Sequence, residues 1–289
     1  MDLRGDDGGA GGVVDRWRTA GRDDGSGGNG RVTPVLTVIG SGTLVPSGER
    51  SSACHLLEAG DHNLLLDLGP GAVHGMARHG KPWWQVTHVV FTHYHTDHFG
   101  DLPHLLFALK WAVPSPRGRP LHVLGPPGLL ARVAALRRAF GDFIVDPGFE
   151  VAYQEVDRRG SWVGDDTDAP RLRFLPVPHT DHSIAIRVAT RGRSLGYTGD
   201  TGPDPALGPF FRGVDILVSE CGQPDPPPSP SHLSPASVAA MARSARPGVV
   251  VLTHLYPPLD CASAPRLVRE AGYEGRVVCA RDGDGFALK

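Results

Sequence analysis

The sequence of 289 residues predicts an α/β fold in which two sheets pack face to face with helices flanking them. Three observations lead there. Apolar runs of β-forming residues outnumber helical patterns, and most are continuous, as in strands covered on both sides. The first four runs follow one another with no helix between them, unlike the strand–helix alternation of one doubly wound sheet. The later runs are interleaved with four helical patterns, which supply the flanking layers.

Residues 1–30 hold ten of the 38 glycines among Asp and Arg, with almost no apolar periodicity. They are expected to be a disordered tail, too poor in apolar surface to offset chain entropy. Residues 31–289 are the expected folded domain. Strands are predicted at Val35–Ile39, Cys54–Leu57, Asn63–Asp67 and Val86–Phe91, several of them separated by turns such as Gly60-Asp61. Further strands are predicted at Leu121–Leu124, Leu172–Val177, Ser183–Ala189, Ser194–Tyr197, Ile216–Ser219, Val249–Leu252 and Arg276–Cys279. The helical patterns are Leu102–Trp111, Gly128–Phe140, Pro235–Ala245 and Ala264–Ala271. Pro114–Pro120 and Pro224–Pro235 read as proline-rich surface connections, the second stiffening a loop that carries His232.

Composition narrows the function. Lys and Arg number 29 against 31 Asp and Glu, a net charge of −2 that gives no general attraction for nucleic acid. No run of 18 apolar residues is present, so no membrane span is expected. The first residues contain no apolar stretch of the secretory kind. Cys54, Cys221, Cys261 and Cys279 never form Cys-x-x-Cys, and reduced thiols in a cytoplasmic protein are the expectation.

Histidine is the unusual count, at 14. The run Thr92-His93-Tyr94-His95-Thr96-Asp97-His98 follows the apolar Val89-Val90-Phe91, so a buried strand delivers it to a sheet edge. Three imidazoles and a carboxylate so close together are costly to bury unless a cation orders them, and both are ligand types that zinc and similar ions accept. Four donors on one turn cannot all face a single ion, so a His-x-His pair on one and the Asp-His pair on another is the natural division. More donors should then follow other strands. His179 follows Phe174–Pro178, Asp200 follows Leu195–Gly199, and His254 follows Val249–Thr253. His182 is an alternative donor to His179. His55, His62, His74, His79, His88, His104 and His122 lack motif context and are read as structural. Trp83, Trp84, Phe107 and Trp111 are candidates for a cleft wall or for core packing.

The pattern His93-x-His95-x-Asp97-His98 with His179, Asp200 and His254 resembles the metallo-β-lactamase superfamily over residues 33–289. Tyr197-Thr-Gly-Asp-Thr201, Glu220, His232-Leu-Ser-Pro235 and Leu252-Thr-His-Leu255 resemble its ribonuclease Z-like branch, as do Gly40–Thr43 and Arg50-Ser-Ser52. The resemblance implies a four-layer αββα sandwich with a dinuclear site between the sheet edges. His93, His95 and His179 would hold one ion; Asp97, His98 and His254 the other, with Asp200 bridging. The ions are expected to be zinc, with manganese an alternative. It also implies that His232, paired with Glu220, faces the leaving group, while Asp97 orients the attacking hydroxide.

The expected function is therefore a metal-dependent hydrolase acting on a small phosphodiester or nucleotide. The alternatives are a thioesterase, lactonase or arylsulfatase on the same fold, or a ribonuclease Z processing tRNA 3′ ends; a non-enzymatic binding protein is disfavoured. Ribonuclease Z proper has a flexible tRNA-gripping arm between the Gly-Pro turn and the third metal histidine. Here Gly125 to His179 shows a helix, two strands and short turns, with no glycine-rich insertion. A small-molecule substrate is expected, folded tRNA and membranes are not, and a homodimer is left open.

Overall fold

In the computed structural model the described residues are 33–113, 117–164, 166 and 168–289. The expected tail at 1–30 and residues 114–116 of the first proline-rich connection lie outside them. The first half contains β1 (Val35–Gly40), β2 (Cys54–Ala59), β3 (His62–Leu66), α1 (Ala72–Arg78), β4 (His88–Val90), α2 (Thr96–Phe99), α3 (Leu102–Trp111), β5 (Leu121–Gly125), α4 (Leu129–Phe140) and β6 (Val151–Glu155). The second half contains β7 (Ser161–Val163), β8 (Arg171–Pro176), β9 (Ile184–Thr190), β10 (Arg193–Tyr197), α5 (Leu207–Phe210), β11 (Ile216–Glu220), α6 (Pro235–Ala245), β12 (Val249–Thr253), α7 (Ala264–Glu270), β13 (Val277–Cys279) and β14 (Gly285–Ala287).

One sheet has the order β14-β1-β2-β3-β4-β5-β6 and the other β13-β12-β11-β10-β9-β8-β7. In each, an antiparallel half adjoins a parallel half: β3 to β6 run parallel in the first sheet, β10 to β13 in the second. The continuous apolar runs now have their reason. Successive side chains of a strand point to opposite faces, and both faces are covered. From β3, Leu64 and Leu66 enter the layer between the sheets, while Leu65 packs under the helices of the first half. From β12, Val249 and Val251 enter the central layer, while Val250 and Leu252 pack against the helices of the second half. Three apolar layers separate four structural ones, giving the αββα sandwich. Among the described residues no helix is long and apolar enough to cross a membrane.

The reduced-thiol expectation needs correction. Cys261 and Cys279 form a disulfide, with Cα atoms 5.2 Å apart, whereas Cys54 and Cys221 are free and buried. Pairing at a sequence separation of 18 arises because the loop before α7 folds back on the end of β13. Nothing in the spacing of four cysteines announces such a contact.

Candidate metal centre

Strands of both sheets end on one edge of the sandwich, and the candidate donors follow those ends. After β4 the chain passes through His93 and His95 into α2, whose single turn carries Asp97 and His98. His179 follows β8, Asp200 follows β10, and His254 follows β12 with a φ of 55°. Two glycines let the loops close. Gly199 has a φ of 56°, and a Cβ there would stand 2.7 Å from the Thr92 side chain. A Cβ on Gly202 would stand 1.8 Å from the Pro230 carbonyl oxygen, so only glycine lets the His232 loop lie against the Asp200 loop.

Donor atoms of His93, His95, His179 and Asp200 lie within 4.8 Å of one another, as do those of Asp97, His98 and His254. Asp200 faces both groups. Its Oδ2 is 4.0 Å from His93 Nε2 and 3.7 Å from His179 Nε2, while Oδ1 is 3.3 Å from His98 Nε2 and 3.5 Å from His254 Nε2. Although His98 is that near, Oδ1 forms no hydrogen bond of acceptable geometry and is a buried oxygen without a partner among the described residues. A buried orphan carboxylate oxygen among imidazoles is what a divalent cation would satisfy. The donor set fits such ions.

The imidazoles are fixed from behind. Thr92 Oγ1 donates to Asp67, which leaves it to accept from His93 Nδ1 at 3.0 Å. His98 Nδ1 donates to Asp67 Oδ2 at 2.7 Å, and His179 Nδ1 to the Ser231 carbonyl at 3.0 Å. Each therefore turns the Nε2 lone pair toward the site. Burial, with His98 alongside, holds His93 well below its ordinary pKa, and so neutral. Asp67 also accepts from Tyr197 Oη at 2.7 Å and from the Thr92 amide. Asp67, Tyr197 and Ser231 were missed by the sequence reading. The one signal for Asp67 was its place directly after the apolar run of β3.

His232 approaches from the loop before α6. Its Nδ1 lies 3.1 Å from both Glu220 oxygens, and Glu220, at the end of β11, also accepts from the amides of Gly222 and Leu233 at 3.2 Å each. Burial lowers the affinity of His232 for a proton, but the hydrogen bond and charge of Glu220, with Asp200, outweigh it and raise its pKa above the ordinary value. His232 also groups with Asp200 and His254. Among the described residues His182 joins no donor group.

These side chains open into a pocket of about 690 Å³ whose lining includes His95, Asp97, His179, Asp200 and His232. Of the two roles open to the aromatics, core packing holds for Trp83, buried in the core of the first half. Neither Phe107 nor Trp111 reaches the pocket; Leu44, Val45 and Tyr256 line it instead. Tyr256 packs its ring on His232 and His254, at 5.7 and 5.3 Å between centroids.

Two packed sheets with seven His and Asp donors at one edge define a metallohydrolase of the metallo-β-lactamase type. Residues 62–255 match the β-lactamase superfamily domain, and the chain belongs to the metallo-β-lactamase superfamily, in its ribonuclease Z-like branch. It is 31% identical over 245 residues to a ribonuclease Z of Mycobacterium sp. (strain KMS), covering 78% of this chain and 85% of that relative. Among solved structures it resembles the metallo-β-lactamase fold protein YhfI from Bacillus subtilis, with a TM-score of 0.76 and 21% identity, covering 88% of this chain and 99% of that one. The short form of human tRNase Z gives a TM-score of 0.70 at 20% identity, again covering 88% and 99%.

Proposed function

We propose that residues 31–289 form a hydrolase domain that uses two divalent ions, zinc or manganese, to cleave a small phosphodiester or nucleotide. The observation that carries this is Asp200, whose two oxygens face two separate imidazole sets. His93, His95 and His179 would hold one ion, Asp97, His98 and His254 the other, with Asp200 shared. Such ions supply a nucleophile at neutral pH by acidifying water, and neutralise developing charge. Asp97 would accept a hydrogen bond from the attacking water and so aim it. Phosphate oxygens would face the His and Asp donors that line the pocket.

His232 decides between leaving groups. Its Nδ1–H is committed to Glu220, which leaves the Nε2–H to donate into the pocket. An alcohol leaving group, with a pKa near that of water, departs far more readily when protonated, and such help is worth about 10²–10⁴-fold. A thiolate, with a pKa of about 8.5, leaves without it. The pair therefore favours a phosphodiester over a thioester. The similarity to a protein named ribonuclease Z supports a second reading, tRNA 3′ processing. Against it stand the net charge of −2 and the compact run of α4, β6, β7 and β8 between Gly125 and His179 among the described residues.

The test is hydrolysis of bis(p-nitrophenyl) phosphate by metal-loaded protein, beside a thioester, a lactone, an aryl sulfate and a precursor tRNA. We expect turnover of the diester and no trailer cleavage at physiological salt. Preference for the thioester or lactone overturns the reading, and specific tRNA cleavage replaces it with the second.

A further inference from the structure

We propose that Arg78 recognises a second phosphate on the substrate, so that the preferred substrate is a nucleoside phosphodiester carrying an additional phosphate; this rests on the phosphodiesterase reading above. Two arginines line the pocket among the described residues, Arg50 and Arg78. They are in opposite states. Arg50 is largely engaged: Nη1 donates to the Ser41 hydroxyl at 3.1 Å and to the Ala280 carbonyl at 3.2 Å, and Nη2 lies 2.9 Å from Cys261 Sγ. It braces the Ser41 and Cys261 loops and has fewer donors to offer a ligand. Arg78 is exposed and has no hydrogen bond or ion pair to any described residue. Its charge is unspent and stands in the wall of the same cavity as the metal donors.

Its position sets the distance. Pro70, before α1, packs against Gly100 at the end of α2 and so marks the metal-donor end of the pocket. Arg78 closes the far end of α1. At 1.5 Å per residue, α1 from Ala72 to Arg78 is roughly 9 Å long, on the scale of one nucleoside. The lining also carries apolar groups: Leu44 and Val45 are 65% and 44% exposed, and Tyr256 lines the same pocket. Tyr256 packs on His232 and His254 and so joins this lining to the site. Apolar surface held open beside a free guanidinium suits a base and sugar ending in phosphate, which arginine grips through paired charge-assisted hydrogen bonds.

The test compares two chromogenic esters of metal-loaded protein, thymidine 5′-(p-nitrophenyl phosphate) and the same compound bearing a 3′-phosphate. Wild type should favour the 3′-phosphorylated ester in kcat/KM by roughly tenfold, the low end for hydrogen bonds to a charged group, mainly through KM. In Arg78→Ala this ratio should fall to near one, and Arg78→Lys should keep part of it. Calorimetric binding of thymidine 3′,5′-bisphosphate against thymidine 5′-monophosphate reads the same preference without catalysis. It therefore answers even if neither ester is turned over, an outcome that would count against the phosphodiesterase reading alone. A wild type with no preference for the second phosphate, or a preference that survives Arg78→Ala in both measurements, overturns the proposal.

Discussion

Asp67 accepts a hydrogen bond from His98 Nδ1 at 2.7 Å, from a position at the end of β3 with a φ of 57°. The carboxylate is fully buried and also holds Tyr197 and Thr92, so it fixes His98 and, through Thr92, His93. Asp67→Asn keeps the shape and removes the charge. Losses of 10–100-fold in metal affinity are typical for such supporting groups, and we expect a loss of that size here. Competition against a chromogenic chelator measures it; unchanged affinity would show that His98 needs no help.

Asp200 should control stoichiometry. Elemental analysis of protein loaded with zinc should give up to two ions per chain, and Asp200→Ala should lower that number, because both donor groups lose the oxygen that faces them. No metal in wild type, and no gain in activity on adding zinc or manganese, would refute the dinuclear site.

His232→Ala should retain its metal and lose about 10²–10⁴-fold in kcat on a diester with an alkyl leaving group. On bis(p-nitrophenyl) phosphate the loss should be much smaller, since p-nitrophenolate departs without a proton. Glu220→Gln should show the same dependence in weaker form. An equal loss on both substrates would mean that His232 holds the pocket together and does not donate.

At the other end of the sandwich, His88 stacks on His122 with ring centroids 5.0 Å apart. Burial, then the neighbouring His122 and His62, lower its pKa to about 3 from the ordinary 6.5. Because the folded state refuses a proton that the unfolded chain accepts below pH 6.5, its contribution is complete above that pH and is lost as pH falls toward 3. Urea unfolding of chelator-treated protein at pH 7 and 4.5 tests this. His88→Gln should lessen the drop between the two pH values by roughly 2 kcal/mol.

Most of the long strands were legible because each is an apolar run delivering alternate side chains to two layers, and the candidate donors stand out because they follow those runs; β6, with the half-buried sequence VAYQE, is not such a run. Other parts left weaker traces. Helix α1 is seven residues long and contains Gly75, which packs where a Cβ would meet Ile39 at 2.9 Å; that is a packing need, invisible in the local pattern. Strand β14 spans Gly285–Ala287 and exists through its pairing with β1, nearly the whole chain away. The pocket wall left little trace: Trp83 fills the core, one of the two roles its sequence context allowed, while Leu44 and Val45 sit in a loop that reads as an ordinary turn.

The candidate donors divide between the sheets: His93, His95, Asp97 and His98 follow a strand of the first, and His179, Asp200 and His254 follow strands of the second. Ions gripped from both sides would act as a clasp across the central layer. The halves of the sandwich could then part only after letting go of their cargo, so resistance to heat would rise with the free metal concentration, by about 2.7 kcal/mol at a hundredfold excess over Kd. A cell short of the metal would hold a protein that is not only idle but also easier to pull open.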